Sequence, residues 1–97
     1  MRLIFEWDIR KERLNINKHG VTFDEAKSIF ADENLLTFKD DFHSEAEDRF
    51  LSIGLSTDVK ILLVVHTEIG RNSNEILIRL ISARKATRNE QKRYEEG

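Results

Sequence analysis

Residues 60–68, KILLVVHTE, and residues 75–83, EILIRLISA, are two apolar runs with the polar segment GRNSN at 70–74 between them. Runs of this length, rich in β-branched residues and bounded by turn formers, read as strands. The first is apolar almost throughout, which is the mark of a strand covered on both faces. So short a link leaves no room for a crossover, so the two runs must be antiparallel neighbours. Any fold open to this chain has to cover both sides of that hairpin.

The remaining elements read outward from it. In RFLSIGLST, residues 49–57, Leu51, Ile53 and Leu55 alternate with Phe50, Ser52 and Gly54, the period of a half-buried strand. NLLTFKD at 34–40 and LIFEW at 3–7 read as shorter strands. Asp8 can cap a helix running to His19, with Gly20 just past its end where a left-handed conformation is wanted. Thr22 and Glu25 have the spacing of a capping box, and Phe23, Ala26, Ile29 and Phe30 line one side of the helix that follows. The tail after the last apolar run reads as a cationic helix, with Arg84 in its first turn and Arg84, Arg88 and Lys92 along one face. The expected domain spans residues 1–97 and is α+β: one twisted antiparallel sheet, an N-terminal helical hairpin on one face and a C-terminal helix.

Composition narrows the function. The chain has no cysteine, so disulfides and thiolate chemistry are excluded. No apolar run approaches the ~20 residues of a membrane span, and MRLIFEWD is too short for a signal peptide, so a cytoplasmic protein is expected. The net charge of −2 hides a segregation: residues 24–48 alone carry −7, while the C-terminal tail is positive. No phosphate loop, zinc-ligand spacing or serine-nucleophile motif is present, and neither metal nor cofactor is expected.

Three histidines and an arginine stand out. His19 at a helix end suits a structural cap; His43 lies among Asp40, Asp41 and Glu45, where solvated loop charges or a metal site are the readings. His66 ends an apolar strand and is either a hydrogen-bonded structural residue or a side chain emerging into a cleft. A hairpin closed around 70–74 pairs residues whose numbers sum to about 144 or 145, which sets His66 across from or diagonal to Arg79. Arg79 is a permanent cation inside an apolar strand. It either pairs with an acid such as Glu68 or Glu6, or opens onto an anion-binding surface.

The segments KHGVTFDEA, RFLSIGL, VVHTE and IRLISARKATRNEQKRYEEG resemble the BrnT family of bacterial type II toxins, from Phe5 to about Glu96. Matching positions are Trp7, Asp8, Asn15, Lys18, His19, Gly20, Arg49, His66, Thr67, Glu68, Arg79, Ser82, Ala83, Arg84, Glu90 and Tyr94. The resemblance implies a RelE-like fold and a metal-independent endoribonuclease that inhibits translation. It also implies a ribbon-helix-helix antitoxin resembling BrnA, with operator DNA bound only through the toxin–antitoxin complex. In such an enzyme the RNA 2′-OH attacks the adjacent phosphate, so DNA is excluded as substrate. By that resemblance His66 is the expected base or acid, Arg79 and Arg84 stabilise charge, and Arg71, Arg88 and Arg49 bind substrate. The family has an Arg directly after HTE where this chain has Ile69, and Arg71 is the expected substitute. The competing readings are a non-catalytic interaction module that binds a partner protein through the acidic 24–48 segment, and an inactive toxin homologue.

Overall fold

The computed structural model describes residues 1–41 and 48–97. In chain order the elements are β1 (Arg2–Glu6), α1 (Ile9–His19), α2 (Phe23–Ser28) and a 3-10 turn (Ile29–Ala31). They continue with β2 (Leu36–Lys39), β3 (Arg49–Leu55), β4 (Ile61–Asn72), β5 (Glu75–Lys85) and α3 (Arg88–Glu96). The strands form one sheet in the order β1-β5-β4-β3-β2.

Local chemistry sets the first two helices. Asp8 accepts a hydrogen bond from Arg10 N–H at 2.8 Å to start α1, and Gly20, at φ 70°, ends it in the left-handed region that glycine enters without strain. The capping box at α2 is only half made. Thr22 accepts from Glu25 N–H, but the Glu25 carboxylate turns instead to Ser56 Oγ at 2.8 Å, and Glu12 takes up Phe23 N–H. The complete capping box lies at α3, between Thr87 and Glu90.

Two strand features depart from the sequence expectation. Strands β2 to β5 are antiparallel as expected, but β1 joins β5 in parallel, from Arg2↔Glu75 to Glu6↔Arg79. A parallel neighbour needs a long crossover, which the intervening helices and strands provide. Arg84 belongs to β5, not to the final helix, because the strand runs on to Lys85 and Thr87 caps a helix beginning at Arg88. The row of Arg84, Arg88 and Lys92 on one helix face is therefore not formed.

The sheet is covered on both sides, as β4 requires. The helical hairpin contributes Val21, Phe23, Ala26 and Ile29 to a core completed by Leu62, Val64, Ile78, Leu80 and Ala83. On the other side Tyr94 of α3 packs over a smaller group that includes Ile53, Leu63 and Ala86. Gly54 permits the closest approach within the first layer: a Cβ there would stand 2.9 Å from Leu35 Cδ1 and 3.0 Å from Ile29 Cβ. No helix among the described residues is long and apolar enough to cross a membrane.

Candidate nucleic-acid interface

Residues directly opposite one another in an antiparallel pair point to the same side of the sheet. Arg49 pairs with Thr67, and Thr67 with Arg79, so the three form one row across β3, β4 and β5. Glu6 extends the row onto β1, opposite Arg79, with its carboxylate 3.2 Å from Arg79 Nε. Ile53, Leu63 and Arg84 form a second row on the same side. This is the side that α3 covers only in part. A cavity of about 320 Å³ lies between α3 and the sheet, floored by Leu51, Ile53 and Leu63 and walled by Phe38, Asn89, Glu90 and Arg93.

Two arginines stand at this cavity. The Arg93 guanidinium lies 4.9 Å from the centre of the Phe38 ring, an arrangement that keeps its charge while covering apolar surface. Arg84 grips Glu90 through two hydrogen bonds of 2.8 and 3.0 Å. That fork raises the Arg84 pKa and holds the Glu90 carboxyl below its ordinary value. Arg84 is held in place from behind by Asn15. The parallel pairing with β1 stops at Arg79, leaving the next stretch of β5 with an open edge. There the Asn15 amide accepts from Ala83 N–H and donates to Ala83 C=O, both at 2.9 Å, and also donates to Val21 C=O. A buried side chain thus stands in for a missing strand immediately before Arg84.

His66 lies elsewhere. It pairs with Leu80, so it faces the helical hairpin, on the opposite side of the sheet from Arg79 and Arg84. It is fully buried, 5.0 Å from the Phe30 ring and stacked 5.9 Å from Phe50, with Nε2 2.7 Å from Ser52 Oγ. Burial lowers its pKa from 6.5 to about 4. Glu68, at 3.8 Å from Nδ1, has its own pKa raised by burial, so near neutral pH the two are not an ion pair with a charged imidazole. Of the two readings open for His66, the geometry supports the structural one. It gives no path from the imidazole to a substrate on the arginine side.

The other expected residues divide as follows. Arg49, Arg79 and Arg84 share one side of the sheet. Arg71 lies at the irregularity near the tip of the β4–β5 hairpin, some eight residues along β4 from the partner of Arg84, or about 26 Å at strand rise. It lies nearer the row of Arg49 and Arg79, whose shared partner Thr67 is four residues, or about 13 Å, back along β4. Arg88 is exposed at the first position of α3. Of the two alternatives for Arg79, an acid partner is present, and it is Glu6. Trp7 packs edge-on against Phe23. Among the described residues no three His, Cys, Asp or Glu side chains are grouped to hold a metal ion; His43 lies outside those residues.

The sequence offers Glu6 as one possible partner of Arg79 and marks Asn15 and Thr67 only as family-matching positions, without their roles. The nearly continuous apolar run of β4 gives no alternation that would have singled out Thr67. Nothing in the local sequence indicates that β1 lies beside β5 and brings Glu6 to Arg79.

The architecture defines a class: a small α+β protein with one sheet side sealed by a helical hairpin and the other bearing arginines beside a half-open cavity. The model of a family described as "Ribonuclease toxin, BrnT, of type II toxin-antitoxin system" matches residues 7–90, and the chain belongs to that family. Among solved structures it is similar to the ribonuclease toxin BrnT of Brucella abortus, with 26% sequence identity and a TM-score of 0.62. That match covers 91% of this chain and 100% of the other. None of the curated proteins compared matches the chain.

Proposed function

We propose that this chain is the ribonuclease toxin of a type II toxin–antitoxin pair and that RNA lies along the arginine side of its sheet. The observation that carries the reading is the alignment of Arg49, Thr67 and Arg79 across three strands, on the same side as Arg84 and the α3 cavity. Attack of a 2′-OH on the neighbouring phosphate builds negative charge on the phosphorane oxygens. Fixed guanidinium groups stabilise that charge, and here they supply what a metal ion would otherwise provide. As the O2′–P bond forms the P–O5′ bond breaks, and the leaving 5′ oxygen takes a proton from water, which gives a cyclic phosphate and a free 5′-OH. Arg79 and Arg84 stabilise charge and Arg49 positions the strand, with Arg88 at its margin. Glu6, beside Arg79, is the carboxylate that takes the 2′-OH proton, whereas Glu90 is engaged by the Arg84 fork. His66 supports the sheet from behind.

The partner is a BrnA-like ribbon-helix-helix antitoxin that covers this side and brings the complex to operator DNA in the cytoplasm, silencing a toxin that would otherwise inhibit translation. A second reading has one specific observation in its favour. Arg79 and Arg84 are each already matched to a carboxylate, and Ile69 stands where the family has an Arg. In that reading the chain is an inactive homologue that only binds its partner.

The test is direct. Antitoxin-free protein is incubated with single-stranded RNA in excess EDTA, and the termini of any products are identified. Cyclic-phosphate and 5′-OH ends, absent with Arg84→Ala, are the expected result. Intact RNA with the wild-type protein favours the second reading.

A further inference from the structure

Only two buried side-chain polar atoms among the described residues have no hydrogen-bond partner: His66 Nδ1 and Thr67 Oγ1. Chains rarely leave such groups unpaired, because burial strips them of water and returns nothing. The two atoms belong to adjacent residues and therefore face opposite sides of the sheet. His66 Nδ1 is enclosed under Phe30 and Phe50, with Glu68 nearby at 3.8 Å, so its isolation belongs to the core. Thr67 Oγ1 faces the arginine side, on a residue only 2% exposed, with Arg49 directly across one strand and Arg79 directly across the other.

We infer that the Thr67 hydroxyl is a substrate-binding group that donates a hydrogen bond to a non-bridging phosphate oxygen held between Arg49 and Arg79. The inference rests on the RNA reading above and names a residue which that reading does not require. Three features converge on it. Cross-strand neighbours have Cβ atoms about 5 Å apart, so a phosphate gripped by both arginines sits over the residue between them. A hydroxyl can turn its proton toward an anion, whereas the arginines have no acceptor to offer Thr67 in the free protein. It is shut away from water, where one fixed donor counts for more than it does at the surface. The hydroxyl has no exposed surface in the free protein, so a neighbour must shift before an anion reaches it. Arg79, 52% exposed and tethered to Glu6 by one surface ion pair, has the freedom to do so.

The experiment measures binding of a 2′-O-methyl oligoribonucleotide, which cannot be cleaved, to the full chain by fluorescence anisotropy at fixed salt. Thr67→Val keeps the shape and removes the hydroxyl; its affinity falls about tenfold while its melting temperature holds or rises, since an unpaired buried group has gone. Thr67→Ser keeps the hydroxyl and binds as the wild type does. Wild-type affinity in Thr67→Val overturns the inference and leaves the RNA reading intact. If Thr67→Val unfolds, Thr67→Ser decides: weakened binding there makes the methyl group, and so packing, the cause and overturns the inference, whereas full affinity supports it. A wild-type protein that neither binds the oligonucleotide nor cuts RNA removes the RNA reading and the inference together.

Discussion

Beneath the helical hairpin, Phe23, Ile29, Leu62 and Leu80 are at most 1% exposed; on the opposite side of the same strands, α3 buries none of its own residues, and Leu51, Val65 and Tyr94 stay partly open. Alternate residues of single strands thus serve two purposes. One side excludes water and supplies most of the stabilisation through apolar burial. The other keeps charged side chains at the surface, and α3 is held by a few polar ties. Tyr94 donates to Asp32 at 2.5 Å, which pushes the Tyr94 pKa up to about 12, and Arg84 holds Glu90. Division of labour by parity lets the open side change its chemistry without unsettling the core, and the same parity keeps the buried imidazole on the opposite side from Arg79 and Arg84.

The contrast can be broken at its strongest point first. Phe23→Ala, in the sealed layer, costs about 3–5 kcal/mol in urea denaturation. A cost below about 1 kcal/mol would show that the two layers do not differ as described. His66 gives the next effect, and its sign is fixed. An ordinary imidazole titrates near 6.5 and this one near about 4, so between those values the unfolded chain binds a proton that the folded chain excludes. Its contribution is complete above pH about 6.5 and is lost as the pH falls toward 4, by about 3 kcal/mol in all. Urea midpoints at pH 7 and pH 5 detect it, and His66→Gln removes that slope while its folded fraction still cuts RNA at near the wild-type rate. On the open side the effect should fall on activity instead. Arg79→Ala loses on the order of 100-fold in single-turnover rate, while its melting temperature stays close to wild type because exposed ion pairs contribute little. Tyr94→Phe is the mildest: about 1 kcal/mol, seen as faster amide exchange confined to α3.

The local parts of this structure were legible and the pairings were not. The caps Asp8 and Gly20 of α1 and the apolar spacing of α2 act within a few residues of one another, so sequence carries them directly. Register does not work that way. Setting Arg79 opposite His66 instead of Thr67 is a difference of one residue, and one residue moves a side chain to the other side of the sheet. The register is set at the hairpin tip, where the turn closes at Asn72↔Glu75 and an irregularity follows between Gly70 and Asn72, and no residue there announces it. The end of β5 was misread for a different reason. Thr87 and Glu90 spell out a helix start, but an earlier start at Arg84 was locally acceptable, and only the pairing of Arg84 with Leu63 and of Lys85 with Leu62 excludes it. Family resemblance singles out Arg49, Arg79 and Arg84 among others, yet it cannot say which of them share a side of the sheet.

The parallel seam between β1 and β5 carries a consequence for synthesis. Strand β1 finds its partner only at residues 75–79, so the seam stays open until β5 has been made. The Arg79–Glu6 contact forms in that same late step, and a product truncated before β5 carries Arg49 and Thr67 but neither Arg79 nor Arg84. A surface that needs Arg49 and Arg79 together is therefore incomplete until that seam has closed.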